Sequence, residues 1–231
     1  MKFMSFNTQH CLNYLEGRID FDLMAKTVLE LGADVVGLNE VRGEGAHPEY
    51  TAQTEKLAEL CGMKYYYFAP AIEFDTGLYG NAIISKVPIE RVENIKIPDP
   101  NPRAYRGYYE TRCVLKATLA GGVSVLVTHF GLNPDEQENA VRTVVESLEM
   151  QRCVLMGDFN LPPESELLLP IRARMRDTAE MFGEEKLSFP SDKPSVKIDY
   201  IFTSPDLVVS SADIPAIVAS DHRPHIATVE I

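Results

Sequence analysis

The sequence predicts an α/β protein in which sheets are covered by helices, organised as one domain over residues 1–231. Two observations carry that expectation. Short apolar runs rich in β-branched and aromatic residues alternate with amphipathic helical stretches as far as about residue 172, and the remaining chain is strand-rich. Nothing interrupts the pattern: there is no linker, no repeat at solenoid period and no low-complexity tract. At 231 residues, folding buries roughly 70–75% of the unfolded surface, so a large core is available.

The elements follow in order. Residues 2–6 read as a strand. Residues 20–31 read as a helix: Asp20 is placed to cap it, Phe21, Met24, Val28 and Leu31 share one face, and Gly32 ends it. Residues 34–38 form a buried strand. Thr51 is placed to cap a second helix through Leu60, closed by Gly62. Lys64 to Phe68, Asn81 to Ser85 and Arg91 to Ile97 read as strands, and 98–109 as a loop rich in Pro, Tyr and Arg. Thr111 to Thr118 and Val123 to Thr128 make a hairpin across Gly121-Gly122. Asn133-Pro134-Asp135 opens a helix, with Pro134 at the first helical position and a stripe of Val141, Val144, Val145 and Leu148. Arg152 to Met156 is a strand, and Glu164 to Arg172 a short helix. Residues 197–203, 213–218 and 225–231 are expected as closing strands.

Several of these strands break off in polar residues. Lys2 to Phe6 runs into Asn7, and Val35 to Leu38 into Asn39-Glu40. Val123 to Thr128 runs into His129, with Asn133 four residues on. Val154-Leu155-Met156 precedes Gly157-Asp158-Phe159-Asn160. Ile217-Val218-Ala219 precedes Ser220-Asp221-His222-Arg223-Pro224. Asp199 sits inside an aromatic-aliphatic strand, and Gly80-Asn81 precedes Ala82 to Ser85. Desolvating a carboxylate costs several kcal/mol unless a partner or a metal offsets it, so these ends are expected to line one site. Their residue types hold hard divalent cations and position water and phosphate.

The ordered set Asn7, Glu40, Asn81, His129, Asp158 with Asn160, Asp199, and Asp221 with His222 resembles the endonuclease/exonuclease/phosphatase superfamily, the metal-dependent phosphoesterases related to deoxyribonuclease I. The resemblance runs from residue 3 to residue 229. It implies a four-layer α/β/β/α sandwich, two sheets face to face with helices outside. It also implies Mg²⁺-dependent (or Mn²⁺-dependent) hydrolysis of a phosphoester. In that reading Glu40 is the main metal ligand, with Asn7 and Asp221 assisting. Asp158 and an Asp199–His222 pair prepare the attacking water. Asn160 and His129 engage the phosphoryl group, and Asn81, Arg112 and Asn133 are candidates for substrate binding.

Plainer readings stand beside these. Glu40 is equally placed to cap a loop. Asn7 and Asp158 suit Asx-type turns. Asp199 could pair with Lys197 or Arg223. Arg112 either clamps phosphate or pairs with Glu110. His129 has no acid partner identifiable from spacing. Tyr105, Arg106, Tyr108 and Tyr109 in the 98–109 loop either stack on a substrate or pack on one another.

Composition narrows the substrate. The net charge of −12 argues against tight duplex binding, because phosphate neutralisation needs a basic surface. A small or lipid-type phosphoester fits better. Action on DNA or RNA is the alternative, since a basic rim can coexist with an acidic body. A non-catalytic module of the same fold is the remote one. Cys11, Cys61, Cys113 and Cys153 lack Cys-x-x-Cys spacing and are expected as reduced, buried thiols. No apolar run approaches the ~20 residues that span a bilayer, and no secretory pattern opens the sequence, so a cytoplasmic protein without membrane insertion is expected.

Overall fold

The computed structural model describes every residue except Pro48, Glu49 and Asp75. Its elements run β1 (Lys2–Asn7), β2 (Leu12–Asn13), β3 (Arg18–Ile19), α1 (Phe21–Leu31), β4 (Val35–Gly45), α2 (Gln53–Leu60), β5 (Tyr65–Phe74), β6 (Gly77–Ser85), β7 (Ile89–Lys96), β8 (Cys113–Leu119) and β9 (Val123–His129). They continue with α3 (Pro134–Ser147), β10 (Cys153–Asp158), α4 (Leu169–Arg172), β11 (Arg176–Asp177), β12 (Asp199–Thr203), β13 (Val208–Asp213) and β14 (His225–Glu230). One six-stranded sheet has the order β13-β14-β1-β4-β6-β5, and the other β11-β12-β10-β9-β8-β7; β2 and β3 pair separately. Both are mixed, with β1 parallel to β4 and β9 parallel to β10.

Three buried clusters define the layers. Phe3, Val35 and Ile83 of the first sheet pack on Leu115, Val125, Val127 and Met156 of the second. Met4, Val36, Leu38 and Ile84 face the α1 and α2 residues Met24, Val28 and Leu57. Leu126, Leu155 and Phe202 face Val141 and Val144 of α3 and Ile171 of α4. This is the expected α/β/β/α sandwich. Strands buried on both faces read as continuous apolar runs because alternate residues serve different cores.

Local signals account for most elements. Asp20 accepts the Leu23 N–H at 3.0 Å, and Gly32 closes α1 at φ 66°. Gly121 and Gly122, at φ 90° and 78°, turn the β8–β9 hairpin. Two expectations need correction. Ala52, not Thr51, stands at the start of α2, and no side chain caps that helix. The expected strand 213–218 lies instead at Val208–Asp213. Pro215 has no N–H to offer a ladder. The segment after Asp213 leaves the sheet and carries Ser220 to Arg223 toward the other catalytic candidates. β13 is an edge strand with Val208 exposed, so it lacks the apolar alternation that marks a half-buried strand.

Candidate active site

The site lies where β1, β9 and β10 end, beside the register irregularity between Leu38 and Val41 that holds Glu40 within β4. Register places Asn7 opposite Asn39, and sets Asp158 between His129 on one side and Asp199 on the other. The strand ends are thus aligned by ladder geometry rather than by loops. Glu40 and Asn160 both adopt the left-handed region, at φ 59° and 49°. Such backbone is uncommon for non-glycine residues and persists where surrounding structure over-determines it.

Amides join the two sheets here. The Asn7 Nδ2 donates to Glu40 Oε1 at 3.0 Å and to Asp158 Oδ2 at 3.1 Å. Asn39 Oδ1 accepts the Asp158 N–H at 3.0 Å, while its Nδ2 donates to Asn81 Oδ1 at 2.8 Å and to the Thr128 carbonyl at 2.9 Å. Asn81 in turn donates to the Cys113 carbonyl at 3.0 Å. The Asx-turn readings coexist with these contacts. Asn7 Oδ1 accepts the Gln9 N–H at 3.1 Å, and Asp158 Oδ1 accepts the Asn160 N–H at 2.9 Å.

Asp199 pairs with His222, Oδ2 to Nδ1 at 2.9 Å; Lys197 pairs with Asp177 instead, at 3.5 Å. His222 Nε2 points to Asp158 Oδ2 at 3.6 Å. Burial opposes charge on this imidazole, but Asp199, Asp158 and Asp221 together raise its pKa. Burial raises the Asp158 pKa; His222 opposes the rise and Asp199 adds to it. Asp221 accepts from Ser220 Oγ at 2.9 Å, and burial raises its pKa against His222, with Glu40 adding to the rise.

His129 is differently placed. Arg112 Nη1 approaches its Nδ1 at 3.0 Å, and a guanidinium only donates, so Nδ1 accepts and the neutral ring carries its proton on Nε2. That nitrogen lies 3.5 Å from Asp158 Oδ2 and 3.2 Å from Asn160 Nδ2. Burial, then Arg112 and His222, push the His129 pKa well down. Asn160 Nδ2 also donates to the Phe130 carbonyl at 3.0 Å. Arg112 is ion-paired with Glu110 at 2.6 Å.

The structure thus brings Asn7, Glu40, His129, Asp158, Asn160, Asp199, Asp221, His222 and Arg112 together. Two expected substrate contacts are engaged elsewhere. Asn81 has both ends of its amide held inside the protein. Asn133 opens α3, its N–H and Nδ2 on Glu136 at 3.1 and 2.6 Å, and its Nδ2 on the Tyr108 carbonyl at 2.8 Å. Sequence reading gave Asn39, Tyr79 and Glu110 no catalytic part. Burial first, then Glu40, raises the Tyr79 phenol pKa, and a hydrogen bond to Glu40 contributes. A buried amide beside an acid on an apolar strand was the available signal for Asn39. Nothing local marked Tyr79, and Glu110 was legible as the partner of Arg112.

The site offers two donor groups to a cation. Asp158, Asp199 and His222 offer ligand atoms within 4.8 Å of one another, and Asp199 Oδ1 is buried with no hydrogen-bond partner. Glu40, Asn7 and Asp221 supply a further oxygen-rich group beside them.

Known proteins share this fold. The model of the Endonuclease/Exonuclease/phosphatase family matches residues 4–222. The chain is 23% identical over 246 residues to the uncharacterized protein YbhP of Escherichia coli K12, covering 100% of this chain and 96% of that protein. Among solved structures it is similar to an endonuclease/exonuclease/phosphatase from Beutenbergia cavernae, with TM-score 0.80, 21% identity, and 100% of this chain and 71% of that one covered. It is similar to the mannosyl-6-phosphatase Bt3783 of Bacteroides thetaiotaomicron, with TM-score 0.80, 16% identity and 100% of both chains covered. It is also similar to the 3′ phosphatase NExo from Neisseria bound to product DNA hairpin, with TM-score 0.70, 17% identity and 100% of both chains covered. The chain belongs to the endonuclease/exonuclease/phosphatase family.

Proposed function

We propose that this protein hydrolyses a small phosphoester with Mg²⁺, or Mn²⁺, by in-line attack of water. The observation that carries the reading is the Asn7 amide, which binds Glu40 and Asp158 from different sheets beside the Asp199–His222 pair. A binding module has no need for buried acids fixed against a charged imidazole.

Glu40, with Asn7 and Asp221, would hold the cation. Once bound, the metal would neutralise charge on the phosphoryl oxygens and the leaving oxygen. Oxygen donors suit Mg²⁺ better than the Asp158–Asp199–His222 group, whose imidazole is already tied to Asp199. Asp158 takes the proton of the attacking water, since burial has raised its proton affinity. Asp199 keeps His222 charged and oriented, so its Nε2–H faces the developing negative charge. His129 donates from Nε2 to a phosphoryl oxygen, with Asn160 beside it.

The likeness to a sugar phosphatase and to a 3′ phosphatase supports phosphomonoester cleavage within this class. The second also favours action at a nucleic-acid end, against which the net charge of −12 weighs for long duplexes. The test is turnover of a panel of sugar phosphates, nucleotides, phospholipid head groups, DNA and RNA with Mg²⁺. Chelator should abolish it, and Glu40→Gln should lower it at least about a hundredfold. Full turnover by Glu40→Gln would refute the assignment.

A further inference from the structure

Residues 98–109 form a loop held against the start of α3. The Ala104 N–H donates to Asp135 at 3.0 Å, the Tyr109 hydroxyl donates to Asp135 at 2.9 Å, and the same hydroxyl accepts the Tyr105 N–H at 3.0 Å. The Glu110 N–H donates to Glu136 at 3.1 Å. A Cβ on Gly107 would strike the Asn133 amide, so the loop lies against the helix start as closely as a chain can. This segment is preorganised.

Its rings are not all covered. Arg103 lies over Tyr109 at 4.7 Å, but Tyr105 is 49% exposed, Tyr108 62%, and Leu132 on the adjoining turn 59%. The Tyr108 hydroxyl donates to Glu110 at 3.2 Å, Glu110 grips Arg112 at 2.6 Å, and Arg112 meets His129 at 3.0 Å. An open aromatic face is therefore linked to His129 through Glu110 and Arg112. The acids around it already have partners. Asp135 holds Ala104 and Tyr109, Glu136 holds Asn133 and Glu110, and Asp99 accepts from Thr111 at 3.1 Å. The loop offers a ligand the ring faces of Tyr105 and Tyr108, the Leu132 side chain and the exposed Arg106. Flat faces and a guanidinium recognise another flat π system.

We infer that Tyr108, with Tyr105, Leu132 and Arg106, binds a nucleobase whose phosphate enters beside His129. The inference rests on the phosphoesterase reading for where the phosphate sits. The ring arrives on a free nucleotide or on a strand end.

Calorimetric titration of the Glu40→Gln protein with adenosine 5′-monophosphate, glucose 6-phosphate and methyl phosphate tests it. The nucleotide should bind about tenfold or more tighter than the other two, as one stacked base contributes. Tyr108→Ala in that protein should erase the margin, and Tyr108→Phe should keep it, because the ring and not its bond to Glu110 makes the contact. Equal binding of the three ligands, or a margin untouched by Tyr108→Ala, overturns the inference. Glucose 6-phosphate matching the nucleotide also overturns it. A 5′-phosphorylated oligonucleotide tighter than the mononucleotide assigns the ring to a strand end; a weaker one assigns it to a free nucleotide. If wild type turns over no phosphoester with Mg²⁺ while the nucleotide margin stands, the hydrolase reading falls and the subsite remains.

Discussion

Asp158 organises the site residue by residue. It touches Asn7, faces both histidines and sits in register with Asp199. The two imidazoles divide by their partners. A carboxylate holds Nδ1 of His222 and favours its charge, whereas a guanidinium holds Nδ1 of His129 and opposes it. Asp199→Asn keeps the shape and removes the charge. It should lower the His222 pKa and reduce kcat by about 10²–10⁴, with KM changed only a few-fold. Steady-state kinetics on a folded variant check this, and a variant with wild-type kcat would leave His222 without its assigned part.

At the scale of elements, glycines set how closely strands approach. Gly157 has φ 150° and immediately precedes Asp158, and a Cβ there would collide with the Thr128 carbonyl of β9. Gly157→Ala should destabilise the fold by about 3 kcal/mol or more. Gly121→Ala, at φ 90° with open space around it, should cost only about 1 kcal/mol of backbone strain. Urea unfolding of the two variants separates clash from strain; equal losses would contradict the register. The same scale explains what could be read in advance. Buried strands such as Cys153–Asp158 announce themselves by apolar runs ending in polar residues, and α1 by Asp20 and Gly32. The edge strand Val208–Asp213 carries no such contrast. The contacts of Asn39 and Tyr79 depend on neighbours distant along the chain, whereas the Glu110–Arg112 pair joins residues two apart and was legible. Asn133 looked like a ligand because it follows His129, and its place at the start of α3 was equally visible in Pro134.

Across the whole molecule, four layers enclose all four thiols. Burial pushes the Cys11 thiol up to about 12, and those of Cys61, Cys113 and Cys153 to about 11, from 9.0. Native protein should therefore resist a disulfide reagent at pH 8, and all four thiols should react after denaturation. The folded state favours the protonated thiol, so that stability is present below pH about 9 and is lost as pH rises through the folded values. Urea midpoints should fall between pH 9 and 11, less steeply in Cys11→Ala; parallel falls in the two proteins would contradict the burial. Among the described residues, no helix is long and apolar enough to cross a membrane.

The amides of Asn7 and Asn39 bolt the two sheets together at the very spot where the acids converge. A candidate site riveted across a joint cannot gape and shut by swinging its halves. Any adjustment to an incoming molecule must fall to the fringe segments around the opening, which makes them the natural ground for changing what is accepted without disturbing the bolted residues beneath.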